Sequence, residues 1–120
     1  TIAKGVSGDT VIGKGSKLDC QIHIGHGVVV GKNCLFAAQV GIGGKTMIGD
    51  NVVLYGQVGI AQAVEIGDGA ILLAKSGVSK SLEGGKTYFG APAEEVKVKY
   101  KELAALRQLP DFIKDFRSKM

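Results

Sequence analysis

Apolar residues recur at intervals of six along the first two thirds of the chain. Val6, Ile12, Leu18, Ile24, Val30, Phe36, Ile42, Ile48, Leu54, Ile60, Ile66, Leu72 and Val78 are thirteen successive hits at that spacing. Four residues after each hit stands a small or medium side chain, mostly β-branched, as at Thr10, Ser16, Val28, Cys34, Thr46 and Ser76. One residue after many of them comes a glycine, at Gly13, Gly25, Gly31, Gly43, Gly49 and Gly67. A helix would repeat every 3.6 residues and a half-buried strand every two, so a fixed period of six marks a repeat architecture. Each unit reads as a short strand plus a corner. Its first and fifth residues point inward, and the glycine and the residue two after it relieve the backbone at the turn.

Three units close a coil of 18 residues. Outward positions support that superperiod, since Gln21, Gln39 and Gln57 recur at it, as do Gly41, Gly59 and Gly77. Stacked glutamine amides are expected to form a hydrogen-bonded ladder along parallel strands, with coils about 4.8 Å apart. Residues 6–83 make a little over four coils. A glycine-rich β-sandwich would show turn signals every 8–12 residues and no fixed register, which is not the pattern here.

The tail follows another rule. Val96, Tyr100, Leu103 and Leu106 keep helical spacing from about Ala93 to Gln108, with Glu94 and Glu95 placed to favour the N-terminal dipole. Leu109-Pro110 is expected to interrupt this helix, and Phe112, Ile113 and Phe116 lie on one face of a second short one. Both are amphipathic and too short to stand alone, so the end of the coil stack or a neighbouring subunit must cover them.

Composition sharpens this division. All 19 glycines lie at or before Gly90, while the last thirty residues carry 12 of the 26 charges. The chain therefore divides into a repeat region, 1–91, and a helical extension, 92–120. The net charge of +4 splits evenly across that boundary. It forms no basic block of the kind nucleic acid requires. No apolar run approaches the roughly 18 residues of a membrane span. The first residues lack the apolar core of a secretion signal. Cys20 and Cys34 have no CxxC partner, and reduced thiols in a cytoplasmic protein are the expectation.

The only histidines, His23 and His26, stand three apart. His26 occupies the corner position that Lys14, Lys32, Asp50 and Asp68 fill in other repeats, and His23 occupies the outward column of Gly41, Gly59 and Gly77. Both are expected to be exposed. A solvated corner residue is the plain reading of His26. Two histidines with no carboxylate pair nearby are too few for a metal site, so none is expected.

The run from Leu18-Asp19-Cys20-Gln21-Ile22-His23-Ile24-Gly25-His26 to Gly31, then Ala37-Ala38-Gln39-Val40-Gly41-Ile42, Gly56-Gln57-Val58-Gly59, Tyr88-Phe89-Gly90-Ala91-Pro92-Ala93 and Leu106-Arg107-Gln108-Leu109-Pro110, resembles the UDP-3-O-acylglucosamine N-acyltransferases of lipid A biosynthesis. The resemblance implies a left-handed parallel β-helix with a C-terminal helical extension, assembled as a homotrimer. It implies transfer of a hydroxyacyl chain to the 2-amine of a UDP-sugar. The donor would be acyl carrier protein through its phosphopantetheine arm, with no other cofactor. On matching positions, His26 would be the general base, Gly44 the backbone donor to the oxyanion, Asp19 an orienting carboxylate and His23 a substrate contact. An imidazole can take the proton of the attacking amine and return it to the leaving thiolate. A rigid N–H at a glycine can meet the tetrahedral intermediate. Relatives of this kind also carry a uridine-binding domain, absent here, and a further histidine where this chain has Ala63. An acetyl-CoA-dependent sugar N-acetyltransferase and a non-catalytic trimeric scaffold are the alternatives.

Overall fold

The computed structural model describes residues 1–5 and 8–120, so Val6, at the head of the apolar series, lies outside the described residues. The strands are β1 (Val11–Ile12), β2 (Lys17–Leu18), β3 (His23–Ile24), β4 (Val29–Val30), β5 (Leu35–Phe36), β6 (Gly41–Ile42), β7 (Met47–Ile48), β8 (Val53–Leu54), β9 (Gly59–Ile60), β10 (Glu65–Ile66), β11 (Ile71–Leu72), β12 (Gly77–Val78), β13 (Thr87–Phe89) and β14 (Glu94–Glu95). One helix, α1 (Val96–Ser118), follows.

Strands β1 to β12 wind as a parallel β-helix. Every third strand stacks on the same face, giving a glycine face β3-β6-β9-β12, a second face β1-β4-β7-β10, and a long face β2-β5-β8-β11-β13-β14. Registers step by one coil, as in His23↔Gly41, Val29↔Met47 and Lys17↔Leu35. The 18-residue superperiod is thus the pairing distance. From Ile24 to Val78 every apolar hit of the series is buried, and Ile12 and Leu18 pack against that core from its edge. Inward polar groups are matched: Ser16 Oγ donates to Gly31 O at 2.8 Å and Thr46 Oγ1 to Ala61 O at 2.9 Å. The glutamine ladder forms, with Gln39 Nε2 donating to Gln21 Oε1 at 2.9 Å and Gln57 Nε2 to Gln39 Oε1 at 2.6 Å.

The corners differ from expectation in one respect. The residue two after the glycine does take the left-handed backbone, at Gly15, Gly27, Asn33 and Lys45, and so does the same corner position where Asp19, Ala37 and Ala61 replace the glycine, at Gln21, Gln39 and Ala63. The glycine itself is required by the next coil, because a Cβ on Gly25 would lie 2.6 Å from Gly44 N and one on Gly43 would lie 2.5 Å from Gln62 N. Steric closeness between coils, and not turning, selects glycine there.

The extension is also reorganised. Glu94 and Glu95 belong to β14, antiparallel to β13 through Tyr88↔Glu95 and Phe89↔Glu94, so α1 has no acidic residue in its first turn. The expected pair of helices is a single helix of 23 residues with Pro110 inside it. Proline removes one backbone donor, but here the freed carbonyl is on an exposed segment where water can satisfy it. Good helix formers on either side carry the helix through. None of its residues is buried. It touches β13 and β14, with the Phe89 and Tyr100 ring centroids 6.0 Å apart. The helix neither caps the coil stack nor lies along it, and the chain measures 63 × 24 × 24 Å. No helix among the described residues is long and apolar enough to cross a membrane.

Candidate active site

His26 stands on the corner between β3 and β4, where the chain leaves the glycine face for the second face. Inward-pointing Ile24 and Val28 on either side are fully buried and pin the corner, while the imidazole stays exposed. One coil on, Gly44 occupies the same corner. Lys45 N–H donates to His26 O at 2.9 Å, which locks the two turns together.

The imidazole lies over Gly44. A Cβ there would sit 3.1 Å from His26 Nε2 and 3.2 Å from Cε1, so a bare glycine is what lets the ring rest against the next coil. Among the described residues no hydrogen bond takes up the Gly44 N–H. On the neighbouring corner the equivalent amides are occupied: Lys32 N–H donates to Asp50 Oδ1 at 2.8 Å and Asp50 N–H to Asp68 Oδ1 at 2.7 Å. The His26 corner therefore offers an exposed proton acceptor beside a free backbone donor, both on a rigid scaffold.

His23 is three residues away on β3, exposed and facing outward, paired with Gly41. Beyond it, Gly41 and Gly59 leave open space above the glycine face. Asp19 is placed elsewhere. It follows β2 at a different corner, where its Oδ1 accepts from Cys20 N–H at 2.7 Å. Among the described residues no hydrogen bond joins it to His26, so within one chain it closes its own turn. Gln62 continues the His26–Gly44 column, with Ala63 N–H donating to Gly44 O at 2.9 Å. The aspartates one coil ahead of Lys32 and Asp50 are legible in the sequence, but that their carboxylates turn back onto those amides, while among the described residues no side chain does so at Gly44, is seen only in the structure. Among the described residues no group of three or more histidine, cysteine or carboxylate side chains converges to hold a metal ion.

With this geometry in view, residues 9–44 match the family model described as bacterial transferase hexapeptide (six repeats). The architecture agrees with the left-handed β-helix of hexapeptide-repeat proteins. The sequence comparison with curated proteins returns no match. Among solved structures, a variant of perosamine N-acetyltransferase from Caulobacter crescentus, in complex with CoA and GDP-perosamine, superposes with a TM-score of 0.70 at 20% identity, covering 78% of this chain and 44% of that one. Serine acetyltransferase from Neisseria gonorrhoeae gives a TM-score of 0.70 at 27% identity, over 72% of this chain and 37% of that one. A serine acetyltransferase in complex with CoA gives 0.68 at 24% identity, over 72% and 39%. The chain thus spans less than half the length of each. These neighbours correct one expectation: two of the complexes hold CoA, where the arm of an acyl carrier protein and no other cofactor was expected.

Proposed function

We propose that this chain is the catalytic β-helix of an acyltransferase that moves an acyl group from a CoA thioester to the amine of a sugar. The observation that carries the reading is the pairing of the exposed His26 imidazole with the unoccupied Gly44 N–H on adjacent coils of one corner. The CoA-bound neighbours support the donor class. The motif around Leu18 to His26 supports an amino sugar as acceptor, the 2-amine of a UDP-linked glucosamine being the form the resemblance implies.

The chemistry follows from what each group does. As the sugar nitrogen attacks the thioester carbonyl, His26 accepts its proton and the C–N bond forms. The carbonyl oxygen becomes an oxyanion, which the Gly44 N–H meets as a donor. Collapse of the tetrahedral intermediate breaks the C–S bond, and the imidazolium returns the proton to the departing thiolate. A base in this position contributes about 10²–10⁴ in rate and one oxyanion donor about 10²–10³. Asp19 would act on His26 only across a subunit boundary, and a homotrimer with the active groove between copies is part of the proposal. His23, on the same face, is assigned a peripheral contact to substrate.

The test is product analysis by mass spectrometry after incubation with acetyl-CoA and either UDP-glucosamine or serine. Acetylated amino sugar with release of free CoA is expected. Acetylserine without a sugar product would contradict the acceptor, and no turnover of either would assign the chain to a scaffold role.

A further inference from the structure

Placing Glu94 and Glu95 in β14 changes the charge map of the molecule. Residues 96–120 hold seven lysines and arginines against three acidic residues, which equals the whole net charge of +4 and leaves residues 1–95 neutral. On α1, the side facing the β-helix is formed by Val96, Lys99 and Leu103, the half-buried positions. From Ala104 onward every residue is exposed. At 1.5 Å per residue this free part extends roughly 20 Å beyond its last half-buried residue.

That free part is ordered around its axis. With 3.6 residues per turn, Leu106, Leu109, Phe112, Ile113 and Phe116 fall within one stripe about a third of the circumference wide. Phe112 and Phe116 stack at 6.5 Å, and they are 65% and 60% exposed. Arg117 borders the stripe on one side and Lys119 on the other, with Arg107 and Lys114 set behind Arg117. Asp111 and Asp115 take the opposite side. Helix and charge thus agree on a single orientation: apolar rings down, cations at the rim, carboxylates away. Self-association fits this pattern less well. In a parallel bundle seamed on Leu106, Leu109, Ile113 and Phe116, the flanking positions are Phe112, Lys119, Pro110 and Arg117, which supply no opposite-charge pairs between copies.

We propose that the second half of α1 is an interfacial anchor that lays this protein on an anionic lipid surface. The apolar stripe enters the boundary between headgroups and acyl chains, and Arg117 and Lys119 extend to lipid phosphates at its edges. The proposal depends on α1 alone and holds whichever acceptor the His26 corner takes.

The experiment is co-sedimentation of the full chain with vesicles of phosphatidylcholine alone or mixed with phosphatidylglycerol, at low and high salt. Binding is expected only to the phosphatidylglycerol vesicles and should weaken as salt shortens the screening length. Each cation near the surface is worth roughly fivefold in partitioning, so the double substitution Arg117→Glu, Lys119→Glu should lower binding by at least about 25-fold. Phe116→Asp should abolish it. Circular dichroism should show both variants folded, since neither position touches the β-helix. Failure of the parent to bind anionic vesicles, or binding that survives these substitutions, would overturn the proposal. So would a parent that ignores vesicles while Phe116→Asp alters its sedimentation without lipid, which would give the stripe to a second copy of the chain.

Discussion

Gly44 has no side chain because His26 occupies the place where one would go. Its backbone is in an ordinary conformation, so Gly44→Ala introduces no dihedral strain, only a methyl 3.1 Å from Nε2 and from the His26 carbonyl. The ring must move by several tenths of an ångström. Misplacement of a catalytic group on the scale of 1 Å costs about 100-fold, so kcat should fall roughly 10- to 100-fold with the melting temperature nearly unchanged. Steady-state kinetics beside a thermal melt checks this. Cys34 makes a second residue-scale prediction. It is fully buried, and its thiol donates to Gly49 O at 3.1 Å, repeating the bonds of Ser16 and Thr46. Burial pushes its pKa above the ordinary value of 9.0. The unfolded thiol therefore ionises first. Cys34's contribution to stability is intact below about pH 9 and is lost as pH rises through the higher folded value. The parent should lose melting temperature more steeply than Cys34→Val between pH 9 and 11, on the order of the range where a thiol titrates. An alkylating reagent should label exposed Cys20 in the native protein and Cys34 only after unfolding.

At the scale of the element, each strand from β1 to β12 contributes two residues, and stability comes from stacking equivalent positions. Ile48 is 3% exposed between Val30 and Ile66 in neighbouring coils. Ile48→Asp would bury an unpaired carboxylate costing several kcal/mol, on the order of the whole stability of a small domain. Its circular dichroism should show loss of β signal, and a native spectrum would contradict the packing. The coils were legible because a six-residue period leaves its mark in side-chain size alone, and the glutamine ladder because its spacing equals the pairing distance. The tail was less so. Pro110 carries a local breaking signal, but whether a helix survives one lost bond depends on water reaching the freed carbonyl, a property of the fold. Glu94 and Glu95 look like helix-start residues until their pairing with Phe89 and Tyr88 is known. Of the site, His26 and Gly44 could be paired from their 18-residue spacing. The open amide at Gly44 could not, nor could the separation of Asp19, whose carboxylate is held by its own turn.

At the scale of the molecule, a single chain leaves much apolar surface uncovered. Val11, Val29 and Met47 line the second face at 46%, 38% and 52% exposure, and Leu35 and Tyr55 stand out on and beside the long face at 48% each. The second face meets the glycine strip at the His26 corner, so an association that covers its apolar residues would set His26 at the edge of the interface. Sedimentation equilibrium at micromolar concentration should give three times the chain mass, and a monomer would contradict the intersubunit groove. The motif reads only the thioester end of a donor, since the parts that separate CoA from a carrier protein lie at the far end of a shared arm. Acyl transfer at the corner of His26 and Gly44 makes His26→Ala and His23→Ala unequal at saturating acetyl-CoA, with folding and assembly verified for both. His26→Ala should lower kcat by about 10²–10⁴, and His23→Ala by much less. Equal, small losses would mean that His26 is only a solvated corner residue, and that the chemistry lies elsewhere or is absent.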